Sequence, residues 1–259
     1  MLEPICYLEA GSGSPLLLVH GDFNDGPGAW SLQMESLAAH HRLIVVDRRG
    51  YGTSPREPRP YTIAGDAADV LAAADQAGAD RFHLAGHSYG GLVAIEVARQ
   101  AADRVRSLHL LEPPYLDLLP SHPDVAPLIA LGSEIQRMAS TWEPERTTEA
   151  FFAMIAGDKG LERLRASRGW PSLVREAGRF ADTQYPAEYP AEAIDDLRLD
   201  APITVYTGGQ SHPGLQALAH HLSEVIPGAD LVVLPTASHA VQRVGDPFDQ
   251  ALLAVTRSR

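Results

Sequence analysis

Cysteine is nearly absent: Cys6 stands alone among 259 residues, so no internal disulfide can form. Cysteine usage therefore gives no support to an oxidising, secreted setting. Basic residues are in the minority, 21 Lys and Arg against 33 Asp and Glu, for a formal net charge of −12. Such a surface repels phosphate backbones and anionic headgroups, so neither a nucleic-acid nor a membrane partner is expected. No apolar run nears the roughly 18–20 residues of a membrane span. Met1-Leu2-Glu3-Pro4 lacks the basic and apolar regions of a secretory leader, which makes a cytoplasmic location the expectation. There is no His-Glu-x-x-His or comparable ligand spacing and no phosphate-binding loop, so neither a metal nor an organic cofactor is expected. Gly11-Ser12-Gly13-Ser14 is followed by Pro15 and an apolar run rather than a helix, and reads as a hairpin turn.

What is present is an alternation. Short continuous apolar runs at Pro15–Val19, Leu43–Val46, Arg81–Ala85, Val105–Leu111, Ile203–Tyr206 and Leu231–Leu234 each stop at a turn signal. Continuous apolar strands are buried on both faces, as parallel strands between helix layers are. Helical stretches separate them at Ala64–Gln76, Gly91–Ala102, Leu215–Val225 and Phe248–Val255. The expected fold is α/β: a doubly wound, mostly parallel sheet flanked by helices. Residues 113–199 break the alternation with helical patterns alone, such as Leu128, Leu131, Ile135 and Met138 at spacings of 3, 4 and 3. They are expected to form a helical cap inserted between core segments 1–112 and 200–259.

Gly86-His87-Ser88-Tyr89-Gly90 fits G-x-S-x-G between a strand and a helix. A serine hydroxyl attacks only when a base takes its proton. It must also project from the sheet on a sharp, strained turn, where side chains at 86 and 90 would collide. The new helix then aims free N–H groups at the site of developing negative charge. The pentapeptide alone can arise by chance, but its strand–helix setting makes Ser88 the candidate nucleophile.

Here the chain resembles the α/β-hydrolase family, over nearly its whole length. The matching pieces are Leu18-Val19-His20-Gly21, Asp47-Arg48-Arg49-Gly50-Tyr51-Gly52-Thr53-Ser54, the serine elbow and Ala237-Ser238-His239. The resemblance implies that His239, in a loop after the last strand, is the general base. Other histidines have plainer expectations: His40, His41, His220 and His221 on polar helix faces or ends, His83 and His109 inside strands, His20 holding its loop. In most of the family an aspartate just past the strand at Ile203–Tyr206 orients the base. Here that loop, 208–213, has no Asp or Glu, and Ser211 stands at about that position. Glu112 ends the neighbouring strand at the carboxyl edge, where open α/β sheets place their sites. Some members carry the acid there, and Ser88, Glu112, His239 keeps the family's chain order. Asp117 and Asp246 are weaker candidates.

The resemblance further implies an oxyanion hole from the backbone amides of Asp22 and Tyr89. An acidic side chain at 22 would oppose the anion if it pointed inward, so it is expected to turn away, toward nearby loop amides. Asn24, Asp25, Gly26 and Gly28 read as turn chemistry. Phe23, Tyr115, Leu118, Met138, Phe151, Phe152 and Trp170 are candidates to line an apolar pocket. The implied activity is hydrolysis of a small carboxylic ester through an acyl-enzyme. Lactone hydrolysis, cofactor-free perhydrolysis and carbon–carbon bond hydrolysis are alternatives on the same residues, and a non-catalytic small-molecule receptor is the alternative of another class.

Overall fold

The computed structural model describes residues 3–57 and 60–257. Seven strands form one sheet: β1 (Tyr7–Ala10), β2 (Pro15–Val19), β3 (Arg42–Val46), β4 (Phe82–His87), β5 (Val105–Leu111), β6 (Ile203–Gly208) and β7 (Ala229–Leu234). Their spatial order is β1-β3-β2-β4-β5-β6-β7. All neighbouring pairs are parallel except β1 with β3. β1 has only four residues, half-buried or exposed, and no apolar run announces it. Because β3 lies between β1 and β2, the Gly11–Ser14 link is not a hairpin turn, and that expectation is corrected.

Strand side chains alternate between two apolar layers. Leu17, Val19, Ile44, Val46, Leu84, Leu108, Leu110 and Val205 face one layer. There they meet α2 (Ile63–Gln76), α3 (Tyr89–Gln100) and α7 (Pro213–Val225). Leu16, Leu18, Leu43, Val45, Ala85 and Tyr206 face the other, against α1 (Gly26–Ser36) and α8 (Asp246–Thr256). The α8 side also buries a string of polar groups: His83 Nδ1 to Ser107 Oγ (2.7 Å), Ser107 Oγ to His109 Nε2 (2.8 Å) and His109 Nδ1 to the Tyr206 hydroxyl (2.9 Å).

α1 occupies a stretch read as turn chemistry. Gly26-Pro27-Gly28 hides a helix start, with Pro27 in its first turn and Asp25 as N-cap accepting from the Gly28 amide at 2.6 Å. His41 is not on a polar helix face or end. It is buried, hydrogen-bonded through Nε2 to Thr256 Oγ1 at 2.8 Å.

Between β5 and β6 run α4 (Ala126–Ala139), α5 (Pro144–Arg165), α6 (Trp170–Glu176) and several short 3₁₀ turns. No described residue of this stretch joins the sheet. Among the described residues, no helix is long and apolar enough to cross a membrane.

Candidate active site

Ser88 sits on the turn between β4 and α3, at φ 53° and ψ −126°. Among the described non-glycine residues, Phe23, Ser88 and Glu112 have positive φ. Each such residue stores on the order of 1–3 kcal/mol of strain, and such strain concentrates at functional positions. A Cβ on Gly86 would lie 2.2 Å from the Gly90 carbonyl oxygen, the collision the motif avoids. A Cβ on Gly21 would lie 2.9 Å from the Ser88 Cβ, so a glycine after His20 lets its loop close over the serine. The Ser88 amide donates to the Leu111 carbonyl at 2.8 Å, tying the turn to the end of β5.

That same end of β5 delivers Glu112, which is 1% exposed. Four donors fill its carboxylate. Thr207 Oγ1 and the Gly208 amide donate to Oε1, each at 2.8 Å, and Ser211 Oγ donates to Oε2 at 2.6 Å. The fourth is His239 Nδ1, 2.7 Å from Oε2. With Nδ1–H donated to the carboxylate, His239 presents Nε2 as the acceptor, the tautomer a general base needs. Asp117 is engaged elsewhere, accepting from the Ala191 amide at 2.8 Å, and Asp246 lies in the first turn of α8. No sequence motif marks Thr207 or the Gly208 amide as holding the carboxylate. Ser211, which stands at about the position of the family's aspartate, is one of the four donors. His87, inside the elbow motif, is also engaged: its Nε2 lies 3.1 Å from the His239 carbonyl. Burial, then the nearby His239, push the His87 pKa well below the ordinary value, so it stays neutral and donates.

Asp22 follows Gly21 on the other side of Ser88. Its amide donates to no described group. Its side chain turns away, though to side chains rather than to loop amides. Arg48 Nη2 lies 2.5 Å and the Tyr51 hydroxyl 2.8 Å from Asp22 Oδ1. Tyr89 opens α3, where amides have no intrahelical acceptor.

Ser88, His239 and Asp22 open onto one cavity of ≈ 50 Å³, lined otherwise mostly by apolar groups that include Leu128, Phe151, Met154, Ile155, Phe180 and Leu215. Of the candidate pocket residues, Phe151 alone reaches it. Phe23 is fully buried beneath the loop, stacked on Phe151 at 4.4 Å between ring centroids. Tyr115 is fully buried against Tyr189 and donates to the Pro190 carbonyl. Leu118 packs against the core. Phe152 packs on Phe23 and Trp170, and Trp170 donates to Glu145. Met138 is half-buried and off the cavity. The reason is helical phase. On α5 the cavity face carries Phe151, Met154 and Ile155, which sends Phe152 to the next face. On α4 it carries Leu128 and Gly132, and a glycine leaves no apolar signal to read.

Among the described residues no three His, Cys, Asp or Glu side chains converge as a metal-ion site.

Comparison with known proteins supplies the family. The alpha/beta hydrolase fold family matches residues 14–246. The chain is an α/β hydrolase. A pimeloyl-[acyl-carrier protein] methyl ester esterase of Aeromonas salmonicida is 31% identical over 237 residues, 89% of this chain and 90% of that protein. A protein named as a carbamate hydrolase in Azorhizobium caulinodans is 42% identical over 101 residues, and that match spans 39% of this chain and 38% of the relative. Among solved structures, an alpha/beta hydrolase of Sphaerobacter thermophilus superposes with a TM-score of 0.79 at 25% identity, covering 97% of this chain and 95% of that one. This kinship supports a hydrolytic activity.

Proposed function

We propose that this α/β hydrolase cleaves a small carboxylic ester through an acyl-enzyme on Ser88. The observation that carries the reading is the 2.7 Å contact between His239 Nδ1 and the buried Glu112 carboxylate, at the cavity that Ser88 also lines. Ser88 Oγ attacks the ester carbonyl carbon as its proton passes to His239 Nε2. The Asp22 and Tyr89 amides receive the oxyanion. Its collapse expels the alcohol, which takes the proton from His239. A water then adds to the acyl carbon by the same path and releases the acid. Glu112 holds the imidazole in its tautomer and stabilises the imidazolium.

The small, mostly apolar cavity suits a slender acyl chain rather than a bulky one. The methyl ester esterase among the relatives supports an ester over an amide. The test is turnover of a panel of p-nitrophenyl esters, with γ-lactones and carbamates alongside. Short and medium acyl esters should be hydrolysed, and Ser88→Ala should abolish the activity. Ester turnover that survives Ser88→Ala would remove the reading, and preferential lactone or carbamate turnover would replace the ester.

A further inference from the structure

An aspartate beside an oxyanion site is a liability, since a free carboxylate there repels the charge that must develop. We infer that Arg48 and Tyr51 are positioning residues that hold the Asp22 carboxylate off the oxyanion site; the inference rests on the reading of Ser88 and the two amides given above.

Arg48 is fully buried and touches both sides of the hole. Nη2 donates to Asp22 Oδ1 at 2.5 Å and to the Gly21 carbonyl at 3.3 Å. The Arg48 amide donates to His20 Nε2 at 2.9 Å. That bond fixes the His20 tautomer, so His20 Nδ1–H is the donor to the Gly21 carbonyl at 2.7 Å. Three consecutive residues of the loop thus hang on Arg48. On the other side, the Arg48 guanidinium lies 4.4 Å from the ring centroid of Tyr89, whose amide is the second donor. Tyr51 adds its hydroxyl to the same Asp22 oxygen and lies under the guanidinium at 4.9 Å.

Charge counting gives the reason for the arrangement. Arg48 Nη1 reaches Asp66 Oδ2 at 3.1 Å, and Arg179 Nη2, from the segment after α6, reaches both Asp66 oxygens at 2.8 and 2.6 Å. Asp22, Arg48, Asp66 and Arg179 form a buried string of alternating sign with two charges of each kind. Removing Arg48 leaves two carboxylates for one cation, with the surplus negative charge on the residue that supplies an oxyanion amide. The groups facing Asp22 are Arg48 and Tyr51, with the ring of Tyr89, Asp66 and Arg179 beyond Arg48, and Ser88 and His239 line the same cavity.

The experiment is the second-order rate of Ser88 labelling by a fluorophosphonate, followed from pH 6 to pH 9.5. This readout needs no knowledge of the substrate. Arg48→Met should slow labelling on the order of 10²-fold at high pH. An unpaired buried carboxylate titrates above its ordinary range. The deficit should therefore shrink as pH falls and Asp22 is protonated, giving an alkaline descending limb that the parent protein lacks. Asp22→Asn on the Arg48→Met background should erase that limb and recover most of the rate. Should Arg48→Met fail to fold, Tyr51→Phe carries the test, with a several-fold loss that Asp22→Asn likewise erases. A pH-independent loss, or one that Asp22→Asn does not repair, marks a merely structural role and overturns the inference. Parent-like rates in both variants overturn it too, while leaving the reading of Ser88 intact. No labelling of Ser88 in the parent protein would remove that reading and the inference with it.

Discussion

Replacing Glu112 by glutamine tests the site at its most exposed assumption. The carboxylate is saturated by four donors, two on each oxygen. An amide must turn its NH₂ toward one of the two pairs. On the Oε1 side stands the Gly208 amide, which cannot reverse its polarity. On the Oε2 side stand the Ser211 hydroxyl, which can rotate to accept, and His239 Nδ1, which can accept only by giving up its proton. The glutamine should therefore turn its NH₂ to Ser211 and His239, leaving the imidazole proton on Nε2. That tautomer cannot take the Ser88 proton, and no charge remains to stabilise an imidazolium. The expected loss in kcat is about 10⁴-fold, equivalent to roughly 5 kcal/mol. Stability should fall much less, by about 1–2 kcal/mol, because each group keeps a partner and only the charge assistance is lost. The assay is saturation kinetics on the best p-nitrophenyl ester, with the thermal midpoint followed by circular dichroism. A folded Glu112→Gln variant within tenfold of the parent kcat would refute the assignment of the acid. A deep loss in kcat accompanied by a collapsed thermal midpoint would show that Glu112 holds the fold instead.

Arg179→Leu removes one cation of the buried string and should cost about 3–5 kcal/mol in urea unfolding, whereas a cost below about 1 kcal/mol would mean the pair is not a tie. Burial, with nearby His83 and His41, lowers the His109 pKa to about 3, and burial, with His41 and Arg106, lowers that of His83 to about 4. The native state then binds fewer protons than the unfolded chain below pH 6.5. Stability should decline as pH falls from 6.5 toward 4, by up to about 1.4 kcal/mol per pH unit for each histidine, and a flat profile from pH 7 to pH 5 would contradict the burial of both. Phe151→Ala should widen the slot and raise kcat/KM for longer acyl esters relative to acetate, and an unchanged chain-length profile would place the acyl group elsewhere.

Much of the architecture was legible because its parallel strands are buried on both faces. Pro15–Val19 and Val105–Leu111 are read residue for residue, since continuous apolar runs between turn signals leave little choice. The elements that escaped carry other signals. β1 is a four-residue edge strand held by its antiparallel partner rather than by apolar side chains. α1 begins in Gly-Pro-Gly and owes its start to the Asp25 cap. The candidate site divides in the same way. Ser88 stands out by its place between a strand and a helix, His239 by the resemblance to the family, and Glu112 becomes a candidate through the absence of a carboxylate from loop 208–213. The pocket was not legible, because helical phase decides which neighbour of a phenylalanine pair faces the cavity. Nor does anything in Asp47-Arg48-Arg49-Gly50 say that Arg48 reaches back to Asp22 (26 positions away in sequence).

The two strand ends that carry Ser88 and Glu112 solve one geometric problem in the same way. β4 and β5 are adjacent and parallel, with His87 opposite Leu111, so the next residue of each leaves the sheet at the same level. Both next residues adopt a positive φ, 53° at Ser88 and 44° at Glu112. An ordinary extended continuation would send successive side chains to alternate faces of the sheet. The left-handed turn instead lets a side chain stand off the carboxyl edge, at a cost of about 1–3 kcal/mol per residue. At Glu112 the cost is offset locally: its amide donates to the Tyr206 carbonyl at 3.1 Å, and Thr207 and the Gly208 amide bind its carboxylate. β6 thus anchors the turn by backbone and side chain at once. A glutamate suits this anchoring, because its extra methylene reaches past the edge of β6 to meet His239 from the loop after β7. Ser211 fits the same arrangement. A second carboxylate there would face Glu112 across a 2.6 Å contact, and like charges that close cannot both stay ionised. A hydroxyl at 211, able to donate, is what the buried Glu112 carboxylate requires.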